Sequence, residues 1–208
     1  VPETTERRRR APRGEGGRLR EQIVDAAARL LADTGDEGAV SIRAVADAVG
    51  VTPPSIYRHF EDKSALLQAV LDRLFGDMEA ALADAAEHEP SPVRKVLAHA
   101  RAYLDYGLLE PGRYKVLYEG RVLPTLSTPD TTALDTTPGR TVLTASVEAL
   151  REAMRAGETP DADPWRLAVV IWQILHGVVS MRINKPRFPW APAWEDAEFA
   201  IRSVLRLS

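Results

Sequence analysis

The sequence predicts an all-α protein. Apolar residues recur at three- and four-residue spacing along most of the chain, and no two-residue alternation persists anywhere. Gly35, Gly38, Gly50, Pro90, Pro111 and Gly112 fall between the periodic stretches. The expected organisation is a small N-terminal helical domain carrying a helix-turn-helix, joined to a larger C-terminal helical domain. A flexible basic arm covers 1–17, the helix-turn-helix domain 18–63 and the larger domain 64–208.

Residues 1–17 are rich in Arg, Pro, Gly and Glu and lack an apolar pattern, so order is not expected there without a partner. Two readings stand for this arm, a solvated tail and a DNA-contacting extension. The first helix starts near Arg18, with Leu19, Ile23, Ala26, Ala27, Leu30 and Leu31 on one face, and Gly35 and Gly38 end it. Ser41 suits the N-cap of a second helix bearing Ile42, Val45, Ala46 and Val49, and Gly50 closes it. Thr52 is the next N-cap, with Pro53 at the first helical position, where a missing N–H costs nothing. A short helix follows to Phe60. Asp62 then caps a long amphipathic helix through Leu66, Val70, Leu74, Met78 and Leu82.

Pro90 and Pro92 interrupt the chain, and helices follow at about 92–107, after Pro111-Gly112, and at about 139–156, 163–183 and 193–206. The Thr- and Pro-rich stretch 124–138 reads as a loop. The segment 163–183 is apolar on more than one side, through Val169, Val170, Ile171, Ile174, Leu175, Val178 and Val179. Such a helix needs cover on several sides, which a domain core and a dimer partner together supply. Trp194, Phe199, Ile201, Val204 and Leu205 form a second stripe for the same interface.

Composition narrows the function classes. The chain has 208 residues, 45% of them hydrophobic and 27% charged, and no cysteine, which excludes disulfides, thiolate metal sites and cysteine nucleophiles. The four histidines show no metal-ligand spacing, and no phosphate-binding glycine loop is present. Neither catalytic residues nor a metal or cofactor are expected, and enzymatic turnover is the rival reading the sequence least supports. No apolar run reaches the roughly 18 residues of a membrane span, and no apolar stretch follows the N-terminal arginines. The expectation is a cytoplasmic protein with no membrane partner. Net charge is -3, yet between positions 7 and 20 seven arginines stand against Glu15 alone. A basic end on a mildly acidic body suits a protein that meets phosphate at one end.

The segment SIRAVADAVGVTPPSIYRHF holds the functional signal. Two short helices meet at Gly50-Val51, where glycine permits the left-handed backbone of a tight turn. Val45, Val49, Val51 and Ile56 pack between them. Thr52, Pro53, Ser55, Tyr57, Arg58 and His59 are left on the outer face, with hydroxyls, an aromatic ring and cations but no acid. Such a face suits a major groove. An ordinary helical hairpin would also satisfy the glycine and the periodicity.

This segment resembles the TetR family of regulators. The likeness runs from about Arg18 to Leu74, and the run Ile-Tyr-Arg-His-Phe, with Asp62-Lys63 and Leu66-Leu67 behind it, carries it. The resemblance implies a homodimeric DNA-binding regulator, most often a repressor released from a palindromic double-stranded operator by a small-molecule effector. By position it implies DNA contacts from Arg43, Thr52, Pro53, Ser55, Tyr57, Arg58, His59 and Lys63. Tyr57 and His59 correspond to phosphate-contacting residues, and Lys63 to a phosphate anchor beside helix amides. The succession Pro53-Pro54 departs from the pattern, and apolar contact with a thymine methyl replaces a polar contact there.

HARAYLDYGLLEPGRYKVLYEG and LAVVIWQILHGVVSMRINKPRFPW resemble a C-terminal subgroup of the same family. Trp172 and His176, four residues apart, share a helix face, and Tyr103, Tyr106, Tyr114 and Tyr118 are candidates to approach them. One reading is a ligand pocket with aromatic walls and a few polar groups. The other is core packing with a hydrogen-bonded His176. Arg101 and Arg121 are cations able to meet an anionic ligand, or to form surface ion pairs.

Overall fold

The computed structural model describes residues 15–34, 37–118 and 140–207, and among these every regular element is helical. The first fourteen residues of the basic arm, Gly35, Arg121 and the Thr/Pro-rich stretch 124–138 lie outside them.

Helix α1 spans Glu15–Thr34, beginning three residues before the sequence boundary. A 3-10 turn at Glu37–Ala39 leads to α2, Ile42–Val49. Both expected caps of α2 form. The Ser41 hydroxyl accepts a hydrogen bond from the Ala44 amide at 3.1 Å, and Gly50 sits at φ 76°, in the left-handed region. Helix α3 is shorter than its pattern suggests, Pro53–Tyr57. It ends because the amides of His59 and Phe60 both turn back to the Ile56 carbonyl, at 2.9 and 3.0 Å. Val45 and Ile56 are fully buried between the helices.

Helix α4, Lys63–Glu87, runs 25 residues, roughly 37 Å, from the small domain into the larger one. Asp62 caps it, its carboxylate accepting from the Ala65 amide at 2.8 Å. Along α4, Leu66, Leu67, Val70, Leu71, Leu74, Phe75, Met78 and Leu82 are buried. Helices α5 (Pro92–Leu109) and α6 (Pro111–Tyr118) follow, then α7 (Arg140–Arg155), α8 (Pro164–Asn184) and α9 (Ala193–Leu205). Helix α5 lies at the centre of the larger domain, packed against α4, α6, α7, α8 and α9. One continuous core runs from Ile23 on α1 to Leu205 on α9.

The two domains meet where α6 crosses α1. Gly112 is needed there, because a Cβ at this position would stand 2.4 Å from the Ala32 carbonyl oxygen. Ion pairs continue the junction. Arg73 of α4 reaches Asp25 of α1 at 3.5 Å and Asp77 at 3.3 Å, and Asp77 also meets Arg113 of α6 at 3.6 Å.

Two expectations are corrected here. Helix α8 has the length and the mean hydropathy, 1.4, of a membrane-crossing segment, against the expectation of no such run. The polar residues within it, Gln173 and His176 among them, interrupt the run without lowering its average far. Its inner face, Ala168, Ile171, Leu175 and Val179, is buried. Trp165, Trp172 and Met181 are between 37% and 48% exposed, and they do not share one side, since Trp172 and Met181 lie about 180° apart around the helix. The stripe assigned to α9 also divides. Ile201 and Leu205 are buried in the domain's own core, whereas Phe199 is 76% exposed. Positions two apart on a helix lie about 200° apart, so Phe199 and Ile201 cannot share a face.

Candidate nucleic-acid interface and aromatic cluster

The turn at Gly50 sets α3 across α2 with one side outward. Thr52, Tyr57 and Arg58 are exposed on that side, with Tyr57 at 55%, while Pro53, Ser55 and His59 are half-buried at its edges. Arg43 projects, exposed, from the first turn of α2. Seven of the eight residues expected to face DNA are thus at least partly open to solvent on α2, on α3 or beside α3. Phe60 is core, 4% exposed.

Within α3 the polar side chains are connected. The Thr52 hydroxyl makes no cap hydrogen bond and instead lies 3.2 Å from the Ser55 hydroxyl. Ser55 in turn accepts a hydrogen bond from the Arg58 guanidinium at 3.1 Å. Among the described residues no carboxylate pairs with Arg58.

Lys63 is placed differently from its seven companions. Its ammonium, part-buried, donates to the Glu37 carbonyl at 2.6 Å and ties the start of α4 to the turn before α2. The neighbouring Ala65 amide is taken by Asp62. Both halves of the expected phosphate anchor thus have partners within the chain, though an ammonium keeps further protons to donate. Arg20 was not singled out by sequence. Its guanidinium stacks over the Phe60 ring at 4.9 Å, which puts a cation from α1 beside the end of α3. The N-terminal arginine run held the signal for it, but only the fold pairs it with Phe60.

The second candidate site lies some way along the chain, between α5, α6 and α8. Tyr103, Tyr114, Tyr118, Trp172 and His176 pack ring to ring, with centroids 4.9 to 6.2 Å apart. The Tyr114 hydroxyl lies 2.6 Å from His176 Nδ1 and 3.3 Å from the Tyr103 hydroxyl. The Tyr118 hydroxyl donates to Met78 Sδ at 3.5 Å. Burial, and then the neighbouring tyrosine, pushes the phenols of Tyr103 and Tyr118 well above the usual range. These groups stay protonated, so the cluster presents neutral donors and acceptors on aromatic walls. Tyr106 stands apart from the ring stack. It donates to the Leu74 carbonyl at 3.3 Å, and burial, opposed by the charge of Arg113 and reinforced by Asp77, pushes its phenol up to about 12.

Arg101, the other cation considered for ligand binding, pairs with Asp105 at 3.0 Å and lies over the Trp194 ring at 5.5 Å. It lines an open groove of about 840 Å³ between α4, α5 and α9, away from the aromatic cluster. Among the described residues no group of three or more His, Asp or Glu side chains is arranged to hold a metal ion.

Comparison with known proteins matches both parts of the chain. Residues 23–70 fit the family described as bacterial regulatory proteins, tetR family, and residues 96–204 fit the tetracyclin repressor-like C-terminal domain. The HTH-type transcriptional repressor KstR2 of Rhodococcus jostii is 40% identical over 67 residues, 30% of this chain and 32% of that protein. The chain spans about a third to a half of the length of the curated relatives it matches. Among solved structures, a protein of unknown function from Rhodococcus sp. RHA1 is 25% identical, with a TM-score of 0.76 over 90% of this chain and 94% of that one. AibR in complex with isovaleryl coenzyme A and operator DNA shares the fold, at 20% identity and a TM-score of 0.65 over 91% of this chain and all of that one.

Proposed function

The chain belongs to the TetR family of bacterial regulatory proteins, and from that membership we propose that it is a homodimeric repressor of transcription. It holds a palindromic operator through α2 and α3 and releases it when a small molecule binds in the larger domain. The carrying observation is the outer face of α3, where Thr52, Tyr57 and Arg58 stand exposed with no acid among them. A B-form major groove, about 12 Å wide, admits a helix and offers acceptors and phosphates to such a face. Ser41 and Gly50 fix the ends of α2, so the entry angle of α3 is set before DNA arrives. The fold of AibR accommodates both an acyl coenzyme A and operator DNA, which supports a division of labour between the two domains of this chain.

Dimerisation rests on the parts of α8 outside the core, where Trp165 and Met181 lie open, together with Phe199 of α9. Exposed apolar area of this kind on adjoining helices suits a two-fold four-helix contact. The two recognition helices would then stand roughly 34–36 Å apart, one turn of DNA. The effector site is the aromatic cluster of Tyr103, Tyr114, Tyr118, Trp172 and His176, with Tyr106 at its margin. Helix α6 links the two functions, because it carries Tyr114 and Tyr118 into the cluster and rests Gly112 on α1. A ligand that displaces α6 favours a dimer whose recognition helices no longer match successive grooves. Its effect is limited to its difference in affinity for the two forms.

Fluorescence anisotropy with genomic fragments flanking the protein's own gene, at two salt concentrations, tests this. Tight, salt-sensitive binding to a palindromic fragment is expected. Weak binding, equal on every fragment, would remove the repressor reading.

A further inference from the structure

We propose that Arg58 reads a guanine in each operator half-site, and that Ser55 is the positioning residue that aims it. This inference rests on the DNA-binding reading and adds the identity of one recognised base.

The exposed polar groups of α3 form one connected row. Arg58 follows the last residue of α3, with φ -74° and ψ -18°. Its guanidinium folds back by one turn to donate to the Ser55 hydroxyl at 3.1 Å, and that hydroxyl lies 3.2 Å from the Thr52 hydroxyl. The guanidinium is therefore laid along the outward face of the helix, instead of trailing away from its end. Arginine has five N–H donors in a planar fork. One bond to Ser55 leaves a two-donor edge unspent, and among the described residues no carboxylate competes for it. The nearest acids in sequence are Glu61 and Asp62, and Asp62 is occupied by the Ala65 amide.

Two parallel donors require two adjacent acceptors. In the major groove only guanine offers them, through O6 and N7. Adenine pairs an acceptor with a donor, thymine an acceptor with a methyl group, and cytosine shows a donor. A phosphate also takes an arginine fork. The tether to Ser55, half-buried at the edge of that face, folds the guanidinium back along the helix instead of letting it trail from the helix end, and the base-substitution series below separates the base from the phosphate. The tether also removes part of the rotamer freedom that a free arginine loses on binding, so the ordering cost falls before contact.

The experiment uses the full-length protein and the operator fragment it selects, delimited by footprinting. Each guanine of a half-site is replaced in turn by the other bases and by 7-deazaguanine, which lacks only the N7 acceptor. The expected result is one guanine position per half-site at which substitution weakens wild-type binding roughly 5- to 150-fold, with 7-deazaguanine weakening it as well. Arg58→Ala should bind all four bases at that position alike and keep its preferences elsewhere. Ser55→Ala should lose several-fold of the guanine preference, and Ser55→Thr, which retains the hydroxyl, should restore it. Circular dichroism and molecular mass report that the variants keep fold and assembly.

Three outcomes would overturn the proposal. Arg58→Ala could retain the guanine preference. It could instead weaken binding equally on every sequence while lowering the salt slope by about one phosphate contact, which would make Arg58 a backbone residue. Finally, no guanine position could matter to the wild type. Specific operator binding with any of these results sinks this inference alone, whereas absence of sequence-specific binding sinks the repressor reading with it.

Discussion

Replacing Gly112 by alanine perturbs the junction between the two domains at one atom. The added Cβ would lie 2.4 Å from the Ala32 carbonyl oxygen, 3.0 Å from its carbon and 3.2 Å from its Cβ. The obstacle is the backbone of α1, so no side chain can swing aside. Overpacking of this kind costs about 1–3 kcal/mol, and a clash with backbone belongs at the upper end. Alanine in place of glycine in a helix returns at most about 1 kcal/mol. The net loss is thus about 2 kcal/mol. For a chain of this length it lowers Tm by roughly 4–8 °C. Gly76 supplies the control, since it lies within α4 and a Cβ there meets nothing within 4 Å. Gly76→Ala should raise Tm by a few degrees, through about 0.5–1 kcal/mol of helix propensity. Thermal melts followed by circular dichroism measure both. Operator titration should show Gly112→Ala weakened as well, because α1 carries α2 and α4. Equal melting of Gly112→Ala and wild type, with equal operator affinity, would refute the close contact and the role given to α6.

Other expected outcomes concern the cluster, the interface and pH. Tyr114→Phe removes the hydroxyl shared between His176 and Tyr103, and should cost about 1 kcal/mol of stability and blunt the response to effector while operator binding persists. Sedimentation of Phe199→Glu should show a dimer weakened toward monomer, since a charge is placed on the exposed apolar patch; an unchanged dimer would put the interface elsewhere. His99 is 92% buried, and desolvation, reinforced by Lys95, lowers its pKa from 6.5. The unfolded chain therefore takes up a proton first, so stability is full above pH 6.5 and falls as pH drops from there through the folded-state pKa. His99→Gln should flatten the dependence of Tm on pH below 6.5, and an unaltered profile would show that His99 does not govern it.

Local signals carried much of this structure. Ser41 and Gly50 name the two ends of α2 through side-chain capping and left-handed backbone, both decided within a few residues. Asp62 caps its helix for the same reason. The ring cluster was legible as spacing on α8 and as tyrosines on α5 and α6. What escaped depends on contacts distant in sequence. Lys63 bonds a carbonyl 26 positions away, and its long side chain takes whichever acceptor the fold brings near. Periodicity marks α9 as apolar but does not tell which residues its own core claims, Ile201 and not Phe199. Pro111-Gly112 read as punctuation, and the close approach of α1 that demands the glycine becomes visible only in three dimensions.

The central claim is that the outer face of α3 grips DNA on behalf of a dimer. Its most direct test is a stoichiometric titration of the selected operator fragment, comparing wild type with Tyr57→Ala, a variant of a residue 55% exposed. The expected result is two chains per palindrome for the wild type, with affinity reduced at least about tenfold in the variant and its fold and dimer mass intact. Equal affinity of the two proteins for the operator, or a variant that no longer folds, would contradict the placement of this face.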